Sequence, residues 1–485
     1  MNLHHLFADG GGSVVRYALS GSAGGFARTL LAQTRLVPRL SPVALCDLDL
    51  GRLHAMCREL GYDEAELAQC ADADAVVRAA GAGQTVLVAD PALLGAAEWD
   101  ILVEATGDPV QGFRMARDAI AAGRHVALVS KEVDSVAGPR LAALAAERGV
   151  VCTTADGDQP ANLIGLTTWA ETLGLDVVAV GKSSEYDFVF DPARNTVSVQ
   201  DTTVEAPALA GLLTLGDDRR ATLDARAAAV AELPVGATAD YCEMAVVANG
   251  TGYVPDTELL HFPLARPAEL ADVYALREDG GLLERPGAVE VFRALRLPGE
   301  ASFAGGVFVV VRTHDRETWE TLRGKGHVLS RDGRYAAVYL PYHLMGVETP
   351  VTLLSAVLHH RPSGGTDPRL HAVLAGRARQ ALTAGTELSM GGHHHDLAGV
   401  QAILLRSADA PADVAPLYLA AGSRLSRDVP EGGLLTFDDI EGYDAELADA
   451  WHAGAAGALG NAGTVRNTGA SGNAGTANSP AEARA

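Results

Sequence analysis

Short apolar runs alternate with helical patterns over residues 14–150. "VVRYALSG", "SPVALCDLD", "DILVEATG", "RHVALVS" and "GVVCTTADGD" are strand-length and apolar on both faces. "FARTLLAQT", "GRLHAMCREL", "VQGFRMARDAIAAG" and "GPRLAALAAERG" lie between them with apolar residues at helical spacing. That alternation predicts a Rossmann-type α/β unit, a doubly wound parallel sheet covered by helices on both sides. Residues 151–365 mix helix and strand less regularly, as an α+β unit does. There "TADYCEMAVVANGTGY" predicts a helix ending near Gly252, and "GGVFVVVRT" and "YAAVYLPYHL" predict strands. Residues 366–445 are rich in turns and short strands, as in a small β-rich domain. From Ala453 to Ala485 the chain is mostly Ala, Gly, Asn and Thr, and a disordered tail is expected because too little apolar surface is available to offset chain entropy.

Composition narrows the classes. The 485 residues suffice for two or three packed domains. Lys and Arg number 38 against 61 Asp and Glu, a formal charge of −23, which argues against nucleic acid or an anionic membrane as partner. The five cysteines are scattered, with no C-x-x-C pair, as expected in a reducing compartment. No secretory pattern and no apolar run near the ~20 residues of a membrane span are visible, so the expected location is cytoplasmic.

The junction "YALSGSAGGFAR" carries Gly21-x-x-Gly24-x-x-Ala27 between a strand and a helix. Gly21 permits the tight turn, Gly24 lets phosphates approach the backbone, and Ala27 lets the helix sit close to the sheet. Ser22, Ala23, Gly25 and Phe26 complete a loop whose helix N-terminus suits a pyrophosphate. A Gly-rich turn in any doubly wound unit reads the same way, so context decides. The second strand ends in Asp47, placed to accept from adenosine ribose hydroxyls, with Asp49 competing for the role of helix cap. Arg52 could instead meet a 2′-phosphate. Asp47 would repel that phosphate, so NAD is favoured over NADP.

Two further strand ends face the same crevice. "VEATGDP" places Thr106 and Gly107 there, and "VALVSKEVD" places Lys131 at a strand end. A lysine at that rim can hydrogen-bond a substrate oxygen or exchange a proton with it; a surface lysine capping a carbonyl is the alternative. In "ADGDQP", Asp156, Asp158 and Gln159 crowd acceptors and a carboxamide into a turn, fit for substrate hydroxyls or ammonium groups, or for the turn itself. Glu243 lies in an apolar stretch and needs a partner such as Lys131 or Lys182. Asn249 near that helix end either orients substrate or caps the helix. His343 in "PYHLMGVETP" is either an acid/base or a buried structural histidine. The triplet His393, His394 and His395 points in alternating directions in an extended chain, so no metal site is expected.

"EATGDPVQGFRMARDAIAAGRHVALVSKEVD" followed by "TTADGDQPANLIGL" resembles the homoserine-dehydrogenase-like NAD(P)-dependent oxidoreductases that carry a C-terminal SAF domain. "YCEMAVVANGTGYVPD" and "YLPYHLMGVETPV" are similar to that family's central domain, and "LAAGSRLSRDVPEGGLLTFDDIE" to the SAF module. The resemblance covers about residues 14–445. It implies a lysine after the fourth strand of the nucleotide domain, here Lys131, preceded by Ser130 where the family has Asn. It also implies a second lysine paired with acidic groups, for which Lys182 is the nearest candidate. The homoserine-binding pattern is incomplete, so small polar hydroxy compounds (polyols, sugar acids, hydroxy amino acids) are the expected substrate class. A redox-neutral NAD-using epimerase or lyase, and an NAD-binding sensor or scaffold, stay open beside this reading. A homodimer or homotetramer is expected, with the SAF-like block near the substrate entrance or at an interface.

Overall fold

A computed structural model describes Leu3, residues 12–392 and residues 395–459. The first unit contains β1 (Val15–Ser20), α1 (Gly25–Thr34), β2 (Leu40–Cys46), α2 (Leu50–Glu59), β3 (Leu67–Gln69), α3 (Ala73–Gly81) and β4 (Thr85–Val88). It continues through β5 (Ile101–Glu104), α4 (Pro109–Ala121), β6 (His125–Leu128), α5 (Lys131–Arg148) and β7 (Cys152–Thr154). These strands form one parallel sheet in the order β3-β4-β2-β1-β5-β6-β7. The chain leaves β1 toward β2 and later returns past β1 to β5. The C-terminal ends of β1 and β5 therefore flank the crevice at which such sheets take ligands. Both faces are apolar, as the continuous strand patterns predict.

The nucleotide unit extends beyond residue 150 in two ways. β7 is its seventh strand, paired with β6. A later helix, α8 below, covers its sheet beside α1.

The central unit begins with α6 (Gln159–Thr172) and β8 (Asp176–Ser183), followed by β9 (Phe188–Asp191), β10 (Thr196–Val199), β11 (Thr202–Glu205) and α7 (Thr238–Thr251). After the short β12 (Val254–Pro255) and β13 (Leu264–Ala265) come β14 (Ala288–Arg296), β15 (Val307–Arg312), β16 (Val328–Leu329), β17 (Tyr335–Leu340) and α8 (Thr349–His359). The mixed sheet runs β11-β10-β9-β14-β8-β15-β17-β16, with β12 and β13 beside β14. α7 is apolar almost all round because it is enclosed on every side: by α5, by α6, by the sheet, and by the C-terminal unit. It ends at Gly252, where the sequence predicts its end, with a φ of +86° that makes a left-handed cap. Leu353, Leu354 and Ala356 of α8 join the apolar layer formed by Val15, Tyr17, Leu30 and Leu31.

The C-terminal unit is built on the antiparallel pair β18 (Ala372–Ala378) and β21 (Val400–Arg406), with the small hairpin β19 (Met390–Gly391) and β20 (Asp396–Leu397) between them. The chain then forms α9 (Ala445–Leu459), which lies against α5. This corrects the expected start of the tail at Ala453. Asp444 accepts from Leu447 N–H at 2.9 Å, and buried Leu447, Ala450 and Trp451 anchor a helix that carries the Ala/Gly run on to Leu459. Arg114 of α4 pairs with Asp444 at 2.6 Å and Glu446 at 3.1 Å. The rest of the expected tail lies outside the described residues. Among them, no helix is long and apolar enough to cross a membrane.

Candidate active site

The loop after β1 has the geometry of a phosphate cradle. Gly21 has φ +64°, and a Cβ there would stand 2.1 Å from the Ala105 carbonyl oxygen, so only glycine fits between the β1 and β5 loops. Gly24 is the N-cap of α1 and gives it no side-chain cap. The next three helices of the unit are each capped by an aspartate: Asp49, Asp72 and Asp108. The first-turn N–H groups of α1 at Gly25 and Phe26 are thus left to an anion. A Cβ on Gly24 would meet only the Gly21 carbonyl oxygen, at 3.2 Å, and one on Gly25 would meet open space. This donor set and clearance fit a dinucleotide pyrophosphate.

Asp47 stands just past the end of β2. It accepts from Ala23 N–H at 2.7 Å and Asp49 N–H at 3.0 Å, so its carboxylate is fixed at the edge of the cradle. Asp49, not Asp47, is the helix cap, accepting from Arg52 N–H at 2.9 Å. On the other side of β1, Thr106 is held by the buried Glu104, whose Oε1 accepts from the Thr106 hydroxyl at 2.6 Å and N–H at 2.9 Å. Burial pushes the Glu104 carboxyl up from its ordinary pKa. Gly107 N–H donates to Ser130 Oγ at 2.8 Å, which ties the β5 loop to the start of α5.

Lys131 is the first residue of α5, one step past the strand end that the sequence suggests. Its Nζ lies 3.2 Å from Asp158 Oδ1 and 3.0 Å from Glu243 Oε1. Asp158 is the N-cap of α6 and accepts from Gln159 N–H at 2.9 Å. Glu243 projects from α7 and is shared between two lysines: its second oxygen contacts Lys182 Nζ, which also pairs with Asp240 Oδ1 at 2.8 Å. Burial acts against the charge of Lys131, but Asp158, Glu243 and Glu132 outweigh it and hold the ammonium well above the ordinary lysine pKa. Lys182 is likewise raised against its burial, by Asp240 and Glu243. Glu243 is lowered although burial opposes it, because Lys182 and then Lys131 stabilise its anion. One difference separates the lysines. The Lys131 side chain is 26% exposed and borders the crevice, whereas Lys182 is 1% exposed inside the central sheet. Of the two, Lys131 is the one open to the crevice.

The turn residues divide. Gln159 meets His343 over Gly305: a Cβ on Gly305 would stand 2.1 Å from His343 Nδ1 and 2.9 Å from Gln159 Nε2. His343 Nδ1 and Gln159 Oε1 are buried without a hydrogen-bond partner among the described residues. Asp156, read above as fit for substrate or for the turn itself, accepts from Thr352 Oγ1 at 2.8 Å and Ser363 Oγ at 2.5 Å, and so fastens its turn to α8. Asn249, read above as orienting substrate or capping the helix, accepts from His371 and Ala372 N–H at 2.8 and 3.0 Å and joins α7 to β18. Arg52 is on the exposed side of α2. His395 is engaged by Glu132, and His393 and His394 lie outside the described residues. Among the described residues no three metal-ligating side chains come together.

Asp240 was missed by sequence reading. Its signal was its i, i+3 spacing to Glu243, which puts both carboxylates on one face of an otherwise apolar helix. Glu132 was also missed; next to Lys131 it reads as an ordinary first-turn acid.

Residues 157–349 match the family described as oxidoreductase DRL, catalytic domain. The matched stretch holds Asp158, Lys182, Asp240, Glu243 and His343, while Lys131 comes from the preceding nucleotide unit. No curated protein matches the chain in sequence. Among solved structures, the WlbA dehydrogenase from Bordetella pertussis, crystallised with NADH and UDP-GlcNAcA, is 19% identical with a TM-score of 0.24. That alignment covers 36% of this chain and 47% of the other, so the chain spans about half the length of that protein. Dihydrodipicolinate reductase from Paenisporosarcina sp. TG-14, with dipicolinate bound, is 12% identical at a TM-score of 0.33, covering 73% of this chain and 98% of the other. A probable dehydrogenase from Thermotoga maritima is 13% identical at a TM-score of 0.35, covering 72% and 90%.

Proposed function

We propose that this chain is an NAD(P)-dependent oxidoreductase acting on a small polar hydroxy or carbonyl compound. The observation that carries this reading is the placement of Lys131. It stands on the rim of a dinucleotide-type crevice, charged, and backed by Asp158 and Glu243. The match of residues 157–349 to an oxidoreductase catalytic domain supports it. A nicotinamide, when bound, supplies or takes up hydride.

The residues of the chain do the rest. The uncapped turn of α1 holds the pyrophosphate and Asp47 the adenosine ribose, which favours NAD over NADP. Lys131 Nζ donates to the substrate oxygen, stabilising the negative charge that grows there as a carbonyl is reduced, and passes it a proton. Asp158 and Glu243 keep the ammonium charged and aimed. Lys182, enclosed behind Glu243, is a positioning residue, as is Asp240. The unpartnered Gln159 Oε1 suits a substrate hydroxyl, with His343 beside it. Asp156 and Asn249 take structural roles.

The test is calorimetric or fluorescence titration of the full chain with NADH and NADPH, then absorbance at 340 nm, set by the nicotinamide, against polyols, sugar acids, hydroxy amino acids and their carbonyl counterparts. Absence of binding of either nucleotide would sink the reading. Binding of NAD with conversion of a substrate but no net absorbance change would favour a redox-neutral reaction instead.

A further inference from the structure

The hairpin β19–β20 of the C-terminal unit reaches the nucleotide unit at His395. His395 Nδ1 lies 2.6 Å from Glu132 Oε1. Its ring also rests on the loop after β5, where a Cβ on Gly107 would stand 2.8 Å from His395 Cε1. We propose that His395 is a cofactor-site residue supplied by the C-terminal unit: it walls the nicotinamide half of the crevice, with Glu132 as the positioning residue that holds the imidazole over Gly107. This rests on the cofactor reading given above.

The sheet order fixes which half of the crevice is meant. A dinucleotide straddles the switch point, one mononucleotide on each side of β1. Asp47 at the end of β2 marks the adenosine side. The other half must lie over β5 and β6, whose following loops are residues 105–108 and 129–130. His395 touches the first of these loops by its ring and the start of α5 by its hydrogen bond.

Three features set this contact apart from incidental packing. Gly107 has φ +70° and leaves room for the ring where any side chain would displace it. His395 itself has φ +52°, a left-handed conformation that costs a non-glycine residue free energy unless its surroundings enforce it. The next residue, Asp396, accepts a hydrogen bond from Thr238 Oγ1 at the first turn of α7. The hairpin is thus tied to the starts of both helices that carry the ion-pair cluster, α5 with Lys131 and α7 with Asp240 and Glu243. The bond to Glu132 raises the His395 pKa, with burial and Lys131 opposing and Asp396 assisting. In this position the imidazole would border a bound nicotinamide and help exclude water beside Lys131.

The experiment compares two probes on the full chain by calorimetry: NADH, and ADP-ribose, which lacks the nicotinamide. His395→Ala should weaken NADH about tenfold, the scale of part of one ring's apolar packing, while ADP-ribose stays within about twofold. His395→Gln, whose amide can still donate to Glu132, should recover most of the NADH affinity. Equal weakening of both probes would assign His395 to general domain packing and overturn the proposal. So would unchanged NADH affinity in His395→Ala. Failure of the unmodified protein to bind either probe would instead refute the cofactor reading, and the proposal with it.

Discussion

The two lysines that share Glu243 make opposite predictions. Lys131→Met and Lys182→Met remove the same charge and leave a chain of similar length. In Lys131→Met, Glu243 keeps Lys182 and Asp158 keeps the Gln159 N–H, so neither carboxylate is stranded. The stability loss should be about 1–2 kcal/mol, below the ~3–5 kcal/mol typical of breaking a buried pair. Turnover should fall by about 10²–10⁴, the range for losing one acid/base group, with NADH affinity unchanged within a few-fold. In Lys182→Met, Asp240 loses its cation and Glu243 keeps only Lys131, in a site that water barely reaches. There the cost should approach ~3–5 kcal/mol. Urea unfolding gives the stabilities, nucleotide titration the affinities, and steady-state rates the turnover. Lys131→Met with the turnover of the unmodified enzyme would refute the catalytic role of Lys131. Lys182→Met as stable as the unmodified protein would refute the account of Lys182 as the electrostatic anchor of Glu243.

Gly24→Val should fill the space above the first turn of α1 and weaken nicotinamide nucleotides steeply. Its φ of −80° suits any residue, so circular dichroism should show the fold intact. Asp47→Ala should weaken NADH and narrow the preference over NADPH, read from paired titrations, because a carboxylate accepts from a ribose hydroxyl and repels a phosphate. Asp134 faces a small cavity shared with Cys152, Thr154 and Asn249, and burial, with Asp158 adding to it, raises its pKa to about 7. A carboxyl raised in the folded state costs stability as it ionises, so the penalty is absent well below pH 4 and complete above pH 7. Asp134→Asn should therefore gain stability, on the order of a few kcal/mol at pH 8, with the gain vanishing toward pH 4 in thermal melts at the two values.

The parallel sheet was legible because its strands are short apolar runs and its helices amphipathic. β3 and β4 escaped because "LAQ" is too short to show a period and "TVLV" sits among small residues that suit any state. The start of α6 was hidden in "DGDQP", whose turn chemistry also makes Asp158 a helix cap. At the site, Lys131, Glu243 and Asp158 stood out as charges in apolar or Gly-rich surroundings, and the structure brings them together. Asn249 and Asp156 stood out in the same way yet serve as joints between units. A buried polar residue announces that it has a partner, not which one. His395 shows the converse. Its partner Glu132 is far away in sequence, so nothing local could have paired them.

The returning helix α8 has a consequence for the order in which the chain can fold. Its Leu353, Leu354 and Ala356 close the apolar layer that Val15, Tyr17 and Leu30 open. The nucleotide unit is therefore unfinished when β7 leaves the ribosome. Roughly 200 residues of the central unit must follow, a wait on the order of 10–40 s at about 5–20 residues per second. During that interval one face of a parallel sheet is short of its cover, the kind of exposed apolar surface that holding chaperones bind. An N-terminal fragment ending near residue 155 stays in that state permanently, so its solubility would be poor however well the complete protein behaves.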